Sequence, residues 1–549
     1  MPKEHEDVEA TSSGSPEVYQ QTKFMAWFEK AFPWLLVGGA ALGLVLMIFL
    51  PVIFFQEKTA EQLLAQSNLR LALLYTTGGV IAALGLLETY RKNTNDRAKA
   101  NADIKAALKN QEHQAEVLKE QIRQFDENAF KERKAERRER YTKAVEQLGD
   151  EKAPIRMGGV YTLVGLVDEW LEEKNLEYSE QLKEGQVIIN NLCAYIRSPF
   201  TLASYYDELS EDNPSSDGIY KDNQQKFYTD KADFKAEADV RLSIIKEIHD
   251  RLQSPDKNTP GAWSDFEYDF SGSTFFYPVD LTNSYYIKPV NFSGSTYQGG
   301  ANFSGSTYKD VADFGGSTYQ WADFSGSTYK DVADFTGSTY QGWTDFSRST
   351  YQWADFTGST YQWADFSGST YKSWAYFTGS TYKDVADFSD STYKSWAYFS
   401  NSTYENETNF SGSIFYQETY FGKGKYSNSS SCFTNRAPQF YDKTNRKNTL
   451  FGSHNNDFTV DIDKGYSINL NSEGLPLGCK FLTSGQKEYL ADKFQEIDET
   501  KNKLLEVKDL KEKAELLKKL QALNEELRKW REEATMVKVE GTALGEEDN

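Results

Sequence analysis

One large apolar side chain recurs along the middle of this chain at an almost fixed interval. The series runs Phe270, Leu281, Phe292, Phe303, Phe314, Phe324, Phe335, Phe346, Phe356, Phe366, Phe377, Phe388, Phe399, Phe410 and Phe421. Eleven of its fourteen steps are 11 residues long and three are 10. Five residues after each member comes an aromatic, usually the Tyr of Ser-Thr-Tyr, as at Tyr297, Tyr308, Tyr319, Tyr329, Tyr340 and on to Tyr426. The unit is Ala-Asp-Phe-Ser/Thr-Gly followed by Ser-Thr-Tyr and two or three more residues. A period this strict is what stacked, near-identical coils demand, each contacting only its neighbours.

The unit resembles the pentapeptide repeat, in which a central apolar residue and a small residue two before it point inward. Residues two apart share one face of an extended segment. Ala312 therefore goes inward with Phe314, and Ser317 with Tyr319, while the intervening Asp and Thr face water. The resemblance implies a right-handed, four-sided β-helix with two units per coil. At ~4.8 Å per coil the fifteen units give a rod roughly 35 Å long. Two departures stand out. The extra residue in most units has to be absorbed at a corner, as a bulge. Half the inward centres are Tyr, whose buried hydroxyls need partners; the stacked Ser residues are the expected donors or acceptors.

The outward positions sort into columns. One carries Asp280, Asn302, Asp323, Asp345, Asp365, Asp387 and Asn409. The opposite one carries Asn291, Asp313, Asp334 and Asp355, then changes to Tyr376, Tyr398 and Tyr420, with Trp353, Trp374 and Trp396 two residues ahead. Clustered aromatics of this kind are typical of interaction sites, so these six residues form the candidate partner-binding set. The competing reading is that Trp, which alternates with Val311, Val332 and Val385, only packs a corner. The carboxylates read as a solvated face. Lys309, Lys330, Lys372, Lys383 and Lys394 offset part of their charge.

Residues 33–55 contain no charge and are long enough to span the ~30 Å apolar core of a bilayer. Residues 71–87 form a shorter apolar stretch between Arg70 and Glu88, readable as a second span or as a buried helix. Together they predict a two-helix transmembrane hairpin. Lys and Arg concentrate after the second stretch (Arg91, Lys92, Arg97, Lys99, Lys105, Lys109), which places both termini and the repeats in the cytoplasm. Gly39, Gly43, Gly79 and Ala83 have the small-residue spacing of helix packing in membranes. From about residue 101 a heptad seam follows: Ile104, Leu108, Gln111, Ala115, Leu118, Ile122, Phe125 and Ala129. It predicts either a homo-oligomer or a helix that folds back on its own domain.

Residues 131–255 read as an α-helical domain. The stretch RYTKAVEQLGDEKAPIRMGGVYTLVGL (from Arg140) resembles the helical segment ahead of the repeats in bacterial membrane-anchored pentapeptide-repeat proteins. The later ADVRLSIIKEIHDRL is similar to that family's last helix before its solenoid. Residues 263–431 are the expected solenoid and 432–482 its cap. Residues 486–534 read as an amphipathic coiled-coil helix with a seam of Leu516, Leu520, Leu523, Leu527 and Trp530. Leu490, Phe494, Ile497, Leu504 and Val507 fall out of phase with it, which leaves a stutter or a two-helix hairpin open. Residues 1–32 and 535–549 read as disordered tails. The fold class is thus α plus β-solenoid, multidomain.

Motifs of chemistry are missing. Cys193, Cys432 and Cys479 lie far apart, and His5, His113, His249 and His454 fall in unrelated segments. There is no P-loop, GxSxG, HExxH or dinucleotide fingerprint. The sequence therefore predicts no catalytic, cofactor or metal residues. Its net charge of −21 argues against general nucleic-acid binding. The expected function is a non-enzymatic, membrane-tethered scaffold that presents the solenoid to a cytoplasmic protein. Two alternatives are regulation of a nucleic-acid enzyme by acidic DNA mimicry, and an accessory role in a membrane transport or signalling complex.

Overall fold

The computed structural model describes residues 23–54, 59–92, 97–255, 259–423, 429–507 and 509–536, with the backbone alone at 23–30, 60, 86–92, 97–104, 106, 505, 506 and 510. Residues 1–22 and 537–549 of the expected tails, and Tyr426, lie outside it. The chain divides after Lys131 into two units, taken separately below.

In the first unit, helix α1 (Lys23–Phe54) begins inside the stretch expected to be tail and carries Pro33 and Pro51 within it. Its segment Ala31–Phe54 is long and apolar enough to cross a membrane. Among the described residues it is the one such segment. Helix α2 (Ala60–Lys92) packs along α1. The expected second span, 71–87, runs beyond the described side chains, which stop at Gly85. A two-span hairpin is therefore reduced here to a helix pair with one candidate span. Helix α3 (Arg97–Leu148) starts in this unit. Its seam residues Leu108, Leu118, Ile122 and Phe125 are all exposed, and Ile104 lies outside the described side chains.

In the second unit, the end of α3 packs with α4 (Ala153–Leu171), α5 (Tyr178–Arg197), the short α6 (Tyr206–Leu209) and α7 (Gln224–Leu252). Pro154 opens α4, where a missing N–H costs nothing. The apolar faces meet through Val160, Val164, Ile189, Leu192, Ile244 and Ile248. Helices α5 and α7 are longer than their apolar stretches suggest, because their first turns are polar. A buried Arg241 ties the domain together. It bonds Glu237 at 2.7 Å and the carbonyls of Ile196 (2.7 Å) and Ser198 (2.8 Å). The domain's core is continuous with the first coil of the solenoid. Trp263 Nε1 donates to Asp168 (2.8 Å), and Arg251 lies over the Trp263 ring while pairing with the same carboxylate at 2.8 Å.

The repeats form a β-solenoid of stacked coils, each about 22 residues round, making about seven turns. Thr-Tyr and Ala-Asp dipeptides make short parallel strands, in one 15-stranded and one 11-stranded sheet. Four columns fill the bore. Phe292, Phe314, Phe335 and Phe356 stack at 5.0–5.2 Å, and Phe303, Phe324 and Phe346 at 5.0–5.1 Å. The Tyr ladders, such as Tyr319, Tyr340 and Tyr361 (5.0 and 4.8 Å) or Tyr329, Tyr351 and Tyr371 (4.9 and 5.1 Å), run beside them. The extra residue is absorbed where expected: Tyr329 pairs with Tyr351 and Val332 with Trp353, so a bulge follows the Tyr. Two residues after each Phe of the series up to Phe410 the backbone turns into the left-handed region, at Gly337 (φ 63°) for example. Arg348, Asp390 and Asn401 hold the same conformation at that point of their own units, against the preference of a side chain with a Cβ.

The C-terminal region departs from a single helix. Residues 432–482 extend the columns through Cys432–Phe433, Leu450–Phe451 and Lys480–Phe481. Two helices follow, α8 (Ser484–Glu506) and α9 (Leu510–Thr535). Val507 is extended, and Asp509 caps α9 by accepting the Lys511 and Glu512 N–H groups. The hairpin closes through Ile497, Leu504, Leu520 and Leu523, with Tyr489 stacked on Trp530 at 5.2 Å. It packs on the solenoid through Ile414, Leu450, Leu482 and Leu490. The out-of-phase Leu490, Phe494, Ile497 and Leu504 are thus the face of a separate helix, and Val507 ends it.

Candidate interaction surfaces

The six aromatics singled out from the sequence stand together on one side of the solenoid. Trp374 stacks on Trp396 at 5.6 Å, and Tyr376, Tyr398 and Tyr420 stack at 5.0 and 5.2 Å. Trp353 meets Tyr376 edge-on at 6.0 Å. Stacking follows from register: Asp355 pairs with Tyr376, and Tyr376 with Tyr398, so like positions lie one above another. Their exposure is graded. Trp374 is 39% exposed, Trp353, Trp396, Tyr376 and Tyr420 are half-buried, and Tyr398 is buried at 7%. Trp396 is also anchored, its indole donating to Glu418 at 2.6 Å. A second ladder, Trp321, Trp343 and Trp363 (5.8 and 5.7 Å), lies on the other sheet. Its signal was present in the sequence as Gln-Trp-Ala-Asp and Gln-Gly-Trp-Thr-Asp.

The acidic columns are not simply solvated. The Asp or Asn before each Phe accepts the backbone N–H of the residue after that Phe, closing the turn. Asp334 accepts from Thr336 at 2.8 Å, Asp345 from Ser347 at 2.7 Å and Asp365 from Ser367 at 2.7 Å. Burial pushes the carboxyls of Asp313, Asp345, Asp355 and Asp387 above the ordinary range.

The inward Ser residues also do something other than expected. From Ser295 onward each hydroxyl donates to a carbonyl of the preceding coil, that of Phe except for Leu281 under Ser306, and accepts a Ser N–H from it, whereas the Ser273 and Ser284 hydroxyls of the first coil meet no partner. Ser338 donates to Phe314 at 3.0 Å and accepts from Ser317 at 3.2 Å. The Ser ladder therefore satisfies backbone, and the phenols of both Tyr ladders, Tyr286 through Tyr404, have no hydrogen-bond partner. Burial drives those phenols far above their ordinary pKa.

In the first unit, Gly43 is the close-approach residue: a Cβ there would lie 2.5 Å from Thr77 Cγ2. Open space lies beside Gly39 and Gly79, and Ala83 is exposed. His249 Nε2 lies 2.7 Å from the Thr282 carbonyl oxygen, and His454 lies against Phe481. All three cysteines are buried free thiols. No group of three or more His, Cys, Asp or Glu able to hold a metal occurs among the described residues.

No protein-family model matches this sequence, and no curated protein matches it.

Proposed function

We propose that this chain is a membrane-tethered, non-enzymatic scaffold of the pentapeptide-repeat type. In this reading the coils form a right-handed four-sided β-helix that displays the Trp374 and Tyr376 face to a cytoplasmic protein. The observation that carries the reading is the aromatic face itself. Two stacked ladders, fixed in register by parallel pairing, are graded from buried Tyr398 to exposed Trp374. Rigid aromatic surface loses little conformational entropy on binding, which makes it effective contact area. The N-terminal segment Ala31–Phe54 supplies the tether. Residues 71–87 complete a second span, with both termini in the cytoplasm. The exposed apolar residues of α2, Leu71, Leu74, Val80 and Ile81, support that extension. The exposed seam Leu118, Ile122 and Phe125 supports self-association through α3. The acidic columns favour charge mimicry less, since their carboxylates close turns and are partly buried.

Crosslinking in intact cells tests the scaffold reading. Partners captured by the wild type should be lost with Trp374→Ala/Trp396→Ala and kept with Trp343→Ala on the other sheet. An unchanged partner set in the double variant removes the aromatic face from the account.

A further inference from the structure

Two units break the pattern of their neighbours. Where the repeat reads Lys-Asp-Val-Ala-Asp at 309–313, 330–334 and 383–387, it reads Lys-Ser-Trp-Ala-Tyr at 372–376 and 394–398. Each change removes two carboxylates and keeps the lysine. The two altered units lie in successive coils, because Tyr371 pairs with Tyr393 and the rings stack at 4.7 Å. Lys372 and Lys394 are therefore neighbours in one column, each held by a backbone N–H bond to the coil before (2.9 and 2.8 Å).

Helix α8 lies against that column. Phe494 sits beneath the Lys394 ammonium at 3.6 Å and meets Tyr416 edge-on at 6.0 Å. Seven residues on, about two helical turns and ~10 Å along the same face, comes Lys501, whose charge acts on Lys372 and Lys330. Asp498 is the carboxylate that acts on both Lys372 and Lys394. Among the described residues none of Lys330, Lys372, Lys394 and Lys501 forms an ion pair, whereas the outer face of the same hairpin is laced with them, as between Lys493 and Glu526 or Lys519 and Glu496. Lys372, Lys394 and Lys501 are each half-buried. Three partly dehydrated lysines faced by the single Asp498 carboxylate still repel one another, and a further anion would relieve that repulsion. Burial, reinforced by Lys501, lowers Lys372 to about 7, and burial lowers Lys394 to about 8.

We propose that Lys372, Lys394 and Lys501 form a binding site for a phosphate-type oxyanion between the solenoid wall and α8. Lysine is a point-charge donor with three N–H groups, suited to phosphate. The shared chemistry is a doubly charged phosphoryl group. Free phosphate and the headgroup of a phosphatidic acid both offer it.

Titration calorimetry on the full chain in a neutral detergent tests the site, with inorganic phosphate as one probe and a water-soluble short-chain phosphatidic acid as the other. Sodium chloride at matched ionic strength is the blank. Phosphate should bind in the millimolar range or tighter, and about tenfold or more weakly to Lys372→Gln/Lys501→Gln. Lys383→Gln, from an unaltered unit, should bind like the wild type. Tighter binding of the lipid than of phosphate identifies a headgroup site, and equal or weaker binding identifies a free-anion site. A second measurement needs no variant: phosphate should slow the modification of Lys372, Lys394 and Lys501 by an amine reagent and leave Lys383 unchanged. Heat indistinguishable from the chloride blank, equal affinity in the double variant, or uniform modification rates each overturn the proposal.

Discussion

Removing hydroxyls from the middle of this protein should make it more stable. Tyr319 and Tyr371 belong to different ladders, and their rings are fully buried with phenol oxygens that meet no partner. A buried hydroxyl without a hydrogen bond costs about 1–3 kcal/mol, since it loses its water on folding and gains nothing in return. The ring is not the problem. Phe275 and Phe433 already end one Tyr ladder, and Phe415 and Phe451 continue the other, in the same stacked geometry (4.6, 4.7, 4.5 and 5.1 Å). Tyr319→Phe should therefore raise the unfolding free energy by about 1 kcal/mol or more. The two sites lie between two and three coils apart, ~12 Å at the ordinary strand spacing, so Tyr319→Phe and Tyr371→Phe should add within ~0.5 kcal/mol. Guanidinium unfolding of the full chain, followed by near-ultraviolet circular dichroism of the stacked rings, reads the effect. A loss of more than about 1 kcal/mol from either change would refute the reasoning, because it would mean that the phenol is bonded inside the bore.

The opposite sign is expected one layer away. Ser338→Ala leaves the Phe314 carbonyl and the Ser317 N–H unsatisfied in the interior and should cost about 2 kcal/mol or more in the same assay. Gly337→Ala forces a Cβ into the left-handed turn and should cost about 1–2 kcal/mol, whereas Arg348→Gly at the equivalent turn should be neutral or stabilising. Lys372 and Lys394 are depressed in the folded chain to about 7 and about 8, against ~10.4 unfolded. Between those values the unfolded chain binds more protons, so stability rises with pH from about 7 to about 10 in phosphate-free buffer. Denaturation midpoints at both ends of that window should differ in the wild type and should converge in Lys372→Met/Lys394→Met.

The bore was legible from the sequence because period and chemistry agreed: Phe and Tyr centres five apart, with Ala or Ser two before each, leave few other ways to bury so many rings. The corner bulge was legible too, since a spare residue in a stacked coil has to leave the ladder. What the Ser and Asp side chains do was not. Whether Ser338 bonds a phenol or a carbonyl depends on where the backbone of the previous coil passes, and Asp334 acts on a turn whose conformation the sequence only hints at through Gly337. The six candidate aromatics were placed on one face correctly by counting, yet the burial of Tyr398 comes from its neighbours in the stack. The break before α9 was legible as a loss of phase between Leu504 and Leu516, but that signal fits a stutter as well as a hairpin, and Asp509, a recognisable N-cap, marks the place. The meeting of Lys501 with Lys372 joins segments more than a hundred residues apart and has no local signal.

Everything rests on two repeat units closing one coil, and a pair of engineered cysteines tests that most directly. Gln320 and Gln341 are exposed, and their side-chain amides bond at 2.5 Å across adjacent coils. Stacked strands ~4.8 Å apart lie within the span that a disulfide bridges. Mild oxidation of Gln320→Cys/Gln341→Cys should crosslink the two positions, read by peptide mapping, while Gln320→Cys/Lys330→Cys, half a coil apart, should stay reduced. Efficient crosslinking of the second pair with none of the first would contradict the stacked-coil account.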